Sequence, residues 1–180
     1  MSGLILHETA LSQWQALVVE AESQAAIQLP HDLEAYLVLL LSRFCQADQL
    51  GDTVIALSFL EAQQASGHLR LSLLHDVGDK CLLFAGLYPQ LATRRRVNMQ
   101  YFIQVGQTAY RLLGELKKTS MGLLFADLSQ GFVSLMDVLL YCRASSDFNL
   151  SPIEAWELWS ETQSQYAKAR VINWTDQSKG

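Results

Sequence analysis

Proline is scarce in this 180-residue chain, with three residues against ten glycines. So few breakers leave room for long regular elements. Charge is thin too, at 17%, while half the residues are apolar, which excludes a disordered or tail-like protein. Long apolar runs are absent. The longest, Ala35–Leu41, falls far short of the ~20 residues that a bilayer span needs. The start, MSGLILHETALSQW, has neither a basic segment nor a long apolar one, so no signal peptide is expected. Ser2 also breaks the myristoylation pattern. Together these absences predict a cytoplasmic protein with no membrane association.

Cysteine is equally sparse. Cys45, Cys81 and Cys142 lie far apart, form no C-x-x-C, and each sits among apolar residues. They read as small buried hydrophobes in a reducing compartment rather than as redox or zinc groups. The usual catalytic patterns are missing as well: no G-x-S-x-G, H-E-x-x-H, Walker A or Rossmann glycine motif occurs. No catalytic residue, cofactor or metal is therefore assigned, and the balance leans away from an enzyme. His31 and Glu34, with His75, Asp76 and Asp79, have ligand chemistry, but neither the order nor the count of a di-iron bundle.

What is present is helical periodicity, almost throughout. The spacing predicts about seven helices, near 9–26, 31–48, 53–65, 68–87, 94–117, 121–143 and 152–170. Asp52 is the expected cap of the third. SPIE, at 151–154, is the strongest local signal: Ser151 as N-cap, Pro152 in the first turn, Glu154 closing a capping box. The fold class is all-α, a single-domain bundle over 1–170 with a C-terminal tail over 171–180. Short extended pieces at Leu4–Leu6 and Arg170–Trp174 have the composition to pair as a small sheet.

Charge is unevenly spread. Residues 1–64 hold eight acids and one base, Arg43, for a balance of −7. Residues 65–118 hold three acids and eight bases, for +5, and residues 119–180 hold seven acids and four bases, for −3. The basic middle contains the segment that raises a functional question. His75, Asp76, Asp79 and Lys80 interrupt an apolar helix, and Arg94, Arg95 and Arg96 follow a turn.

If helices four and five form an antiparallel hairpin turning near residue 90, Gly78 faces Phe102–Gly106 and Asp79 faces Tyr101 or Val105. A buried carboxylate needs donors, and Tyr101 is the expected one. The arginines either fold back on helix four and pair with Glu34, Asp48, Asp52 or Glu61, or form an anion site at a helix start. In the second case Asp76, Asp79, Arg94, Arg95, Arg96, Tyr101 and Tyr110 line a ligand site. Nucleic acid is disfavoured by a pI of 5.3. Trp156, Trp159 and Trp174, three of the four tryptophans, crowd the last 25 residues. Aromatics at such spacing serve a core or an interface.

The block from Leu74 to Leu113 resembles a family of uncharacterised bacterial helical proteins. The resemblance rests on Gly78-Asp79, Gly86 with Tyr88, Arg94–Arg96, Tyr101-Phe102-Ile103, Gly106 and Ala109-Tyr110. It covers under a quarter of the chain and brings no activity and no ligand residues. What it implies is the helical hairpin and a bacterial cytoplasmic setting. The function expected from all this is a non-catalytic protein-interaction or regulatory domain, binding a protein partner or itself as a homodimer. The alternative is a small anionic-ligand binder or enzyme, with its site between helices four and five.

Overall fold

The computed structural model describes residues 2–44, 54–89, 97–143 and 150–177, with side chains from residue 10 onward. Nine helices fill these segments, and no strand occurs among the described residues. They are α1 (Ser2–Ala25), α2 (His31–Arg43), α3 (Ile55–Gln64), α4 (Gly67–Gly86), α5 (Met99–Leu116), α6 (Ser120–Gln130), α7 (Phe132–Cys142), α8 (Pro152–Thr162) and α9 (Gln165–Gln177). One core holds them together as a single-domain all-α bundle.

The described residues hold nine helices in place of the seven expected, because two expected helices each break once. The expected helix at 121–143 divides at Gly131 into α6 and α7, which meet at 68°. A Cβ at Gly131 would press on Leu33 of α2, so glycine lets the corner approach that helix. The expected helix at 152–170 divides at Gln163, which adopts φ 59° and closes α8 through its amide to the Trp159 carbonyl. The chain is then helical again to Gln177. No terminal sheet forms, since Leu4–Leu6 lies within α1 and Arg170–Trp174 within α9.

Local chemistry explains several helix starts. Pro30 precedes α2, and its carbonyl accepts from the Leu33 and Glu34 amides. Asp32 and Glu34 in the first turn and Arg43 in the last suit the helix dipole. The predicted box at α8 is present: Ser151 Oγ accepts from the Glu154 amide and the Glu154 carboxylate accepts from the Ser151 amide. At α3 the capping position is Val54, not Asp52, which lies outside the described residues. α5 begins at Asn98, whose side chain accepts from the Gln100 amide at 3.1 Å.

That late start of α5 resets the central hairpin. α4 is buried from Val77 to Asp79 and from Cys81 to Gly86, packed by α3, α5 and α7. Across from Gly78 stands Tyr110, not Phe102–Gly106: a Cβ on Gly78 would lie 2.5 Å from Tyr110 Cε1. Gly106 instead faces Phe132 and Cys81. The inward stripe of α5 is Phe102, Gly106, Ala109, Tyr110 and Leu113. On the same helix Val105 and Leu112 are half-buried, and Leu116 is exposed. Cys81 and Cys142 are buried thiols, with burial pushing the Cys142 thiol up to about 12. Cys45 lies outside the described residues.

No single helix among the described residues is long and apolar enough to cross a membrane. α6 and α7 together have the length and composition, but they are bent at Gly131, and α7 is nearly all core.

Candidate functional site

Asp79 sits on α4 with 2% of its surface exposed, and four side chains from three helices converge on it. Tyr36 and Tyr110 hydroxyls both donate to Oδ1, at 2.5 and 2.7 Å. The Arg43 guanidinium donates to Oδ2 at 3.0 Å. His75 Nε2 stands 3.4 Å from the same oxygen and 2.7 Å from Tyr36 Oη.

Helical spacing assembles this group. Tyr36 and Arg43 are two turns apart on α2, and His75 and Asp79 one turn apart on α4, so each pair shares a face. Tyr110 arrives from α5 through the space that Gly78 leaves open. Phe125 of α6 walls the cluster. Its ring lies edge-on to His75 at 5.2 Å and to Tyr36 at 6.4 Å, and is stacked with Tyr110 at 6.1 Å. Lys117, just past α5, holds its ammonium 5.4 Å over the same ring.

The cluster is graded from dry to wet. Tyr110 and Phe125 are buried, Tyr36 is half-buried, and the side chains of His75 and Arg43 are 35% and 49% exposed. Burial, reinforced by the Asp79 charge, pushes both tyrosine hydroxyls far above the ordinary phenol range. They therefore stay protonated and act as donors at any physiological pH. Asp79 carries one negative charge, met by the one positive charge of Arg43. Arg43 has five N–H donors and the Asp79 contact engages one of its nitrogens, so donor capacity is left at the surface.

At the α5–α6 elbow runs an open groove of about 670 Å³. Lys117 and Lys118 line it, with the Arg111–Glu115 ion pair, Ser120 and Leu123. Lys117 thus belongs to both the groove and the aromatic wall of the cluster.

The sequence-predicted residues separate here. Asp79 and Tyr110 meet. Tyr101, the expected partner of Asp79, is half-buried near the start of α5 and packs edge-on against Phe102. Nine residues of helix, about 13 Å, separate it from Tyr110. That is about two and a half turns: α4 and α5 pair in a later register than a turn near residue 90 would give, in keeping with the late start of α5 at Asn98. Asp76 faces elsewhere, paired with Lys80 at 2.7 Å. Arg94, Arg95 and Arg96 lie outside the described residues, as do Asp48 and Asp52.

Trp156 and Trp159 touch edge-to-face at 5.4 Å on α8, Trp156 exposed and Trp159 half-buried. Trp174 is exposed on α9. Among the described residues no three histidine, cysteine or acidic side chains are grouped to hold a metal. Sequence reasoning missed Tyr36, Arg43, Phe125 and Lys117. A faint signal existed for one: Arg43 is the single base in the acidic first third.

A second buried acid is built differently. Asp137 of α7 is 1% exposed and accepts from Ser164 Oγ at 2.5 Å and the Gln165 amide at 2.7 Å. Ser164 Oγ in turn accepts from the Ala167 amide. This is the N-terminal cap of α9, supplied partly from another helix. Burial raises Asp137 to about 6, against the lowering pull of those donors.

Comparison with protein-family models, with curated proteins and with solved structures finds no match to this chain. Its function has to be read from the site itself.

Proposed function

We propose that this chain is a helical binding domain for a small anionic ligand, held at the surface end of the Asp79 cluster by Arg43 and His75, with Lys117 adding positive charge across the Phe125 ring. One observation carries the reading. The donors around Asp79 are side chains from three helices, and two of them extend to solvent with hydrogen-bonding capacity to spare. Stability alone does not require such a group, because buried ion pairs are often matched or bettered by apolar residues of similar volume. A preorganised guanidinium beside an imidazole suits carboxylate, sulfate or phosphate oxygens. The adjacent lysine groove adds positive charge on a chain of net −5, where local sign decides which ions gather.

The test is thermal melting in sodium sulfate against sodium chloride at equal ionic strength. A site for anions gives wild type a saturable rise in Tm with sulfate, as mass action requires. Arg43→Gln removes that rise. Equal response in both proteins would contradict the proposal.

A second reading, partner or self association, is favoured by one surface. Ile153 and Trp156, three apart on α8, are 70% and 55% exposed, with Trp159 alongside. Large apolar side chains grouped at a surface mark contact sites more often than scattered ones do. Sedimentation of wild type and Trp156→Ala over a range of concentration tests it. Concentration-dependent dimerisation lost in the variant supports an interface, and a monomer throughout contradicts self-association.

A further inference from the structure

We propose that the site takes up its anion together with one proton, which binds to Nδ1 of His75. This inference rests on the anion reading above and adds how the site keeps its charge balanced.

The argument begins with a single hydrogen. Tyr36 Oη has one proton, directed at Asp79 Oδ1 across 2.5 Å. The 2.7 Å contact between Oη and His75 Nε2 then needs its hydrogen on Nε2. That same N–H faces Asp79 Oδ2 at 3.4 Å. A neutral imidazole with hydrogen on Nε2 keeps its lone pair on Nδ1. Among the described residues nothing hydrogen-bonds to Nδ1, and the side chain is one-third exposed. Tyr36 and Asp79 therefore fix the tautomer, as a carboxylate does for a metal-bound or catalytic histidine.

Charge supplies the driving force. The ring itself meets Tyr36, Asp79 and Phe125, and four elements supply the groups of the surrounding cluster. α2 brings Arg43 and Tyr36, and α4 brings Asp79. α5 brings Tyr110, with Lys117 just beyond it, and α6 brings the uncharged Phe125. Both hydroxyls stay protonated, and Asp76 is matched by Lys80 on α4. The full charge of Arg43 is already set against Asp79. An anion arriving beside Arg43 leaves a half-buried negative charge that Lys117 meets only from across the Phe125 ring. Imidazole is the side chain that answers this near neutral pH. A solvent proton adds to Nδ1, no bond other than the new N–H forms, and the imidazolium N–H donates to the anion. The ligand class is an oxyanion with an unprotonated oxygen, and Tyr36 is a positioning residue for His75.

Isothermal titration with sodium sulfate tests this, at constant chloride, in two buffers of different ionisation enthalpy. Sulfate carries no proton near neutrality, so any proton uptake belongs to the protein. The expected result is uptake approaching one proton per sulfate over a range of pH around neutrality. His75→Gln, which keeps an amide donor for Tyr36 but cannot titrate, binds sulfate more weakly and takes up no proton. Buffer-independent heats in wild type across that range would overturn the inference while leaving the anion site standing. So would uptake that persists in His75→Gln, or a neutral His75 whose imidazole nitrogen spectrum places the hydrogen on Nδ1. Absence of any sulfate binding would overturn the anion reading and this inference with it.

Discussion

Asp79 and Asp137 are buried to the same degree, on neighbouring helices of one core, yet their donors differ in kind. Asp137 accepts from a serine and a backbone amide at the start of α9, and those amides are there because a helix begins there. Glu22 is of the same type, accepting from the Leu29 amide at 2.6 Å where the chain leaves α1. Among the described residues Asp79 accepts only from side chains, on α2 and α5, and stands beside an imidazole on its own helix. A carboxylate that satisfies backbone groups completes the fold. One that gathers long polar side chains and connects them to water can also present their spare donors to a ligand. The difference identifies Asp79 as the centre of the candidate site and Asp137 as a structural cap.

The sharpest way to break this contrast is to remove each carboxylate. Asp79→Ala leaves the fully buried Tyr110 hydroxyl without its acceptor, and loosens Tyr36 and Arg43. Urea unfolding should show a loss of about 3 kcal/mol, and the sulfate response should vanish with it. Asp137→Ala should cost somewhat less, about 2 kcal/mol, because Ser164 still caps α9. Its sulfate response should be unchanged. Hydrogen exchange should speed at Gln165–Ala167 while α4 and α5 amides keep their protection.

A smaller loss, about 1 kcal/mol, is expected for Tyr36→Phe, since Tyr110 still donates to the same oxygen. Denaturant unfolding measures the loss, and the imidazole nitrogen spectrum of His75 should show its tautomer no longer fixed.

The acids should also differ in pH dependence. The folded-state pKa of Asp137, about 6, lies above the ordinary carboxylate value of 3.8. The folded state thus holds that proton longer than the unfolded chain does. As pH rises from about 4 to about 6 the buried charge forms, and stability from this group is lost. Asp137→Asn should therefore gain on wild type through that window and hold a constant offset above it. Unfolding curves of both proteins at pH 4, 5, 6 and 7 check the sign.

Local signals in the sequence reached as far as local physics does. Ser151-Pro152-x-Glu154 specifies the start of α8 because its donors and acceptors lie within four residues. The all-α class follows from periodicity over the whole chain. The breaks at Gly131 and Gln163 escaped, because what favours them lies elsewhere: Leu33 against the corner, and Asp137 reaching across to α9. The register of α4 on α5 depended on where a loop ended, and it lies one to two and a half turns from the expected one. The site was half legible. Asp79 in an apolar helix announces a need for donors, and Tyr110 was among the residues named. Tyr36 and Arg43, on a helix more than 30 residues away in sequence, meet it only in the folded chain.

The most direct measurement is a side-chain and backbone NMR titration of the wild-type protein with sodium sulfate, at fixed ionic strength. The account predicts saturable shifts at the His75 imidazole and the Arg43 guanidinium with one dissociation constant, and none at the Ser164 and Gln165 amides beside Asp137. Shifts absent from His75 and Arg43, or equal at both aspartates, would contradict it.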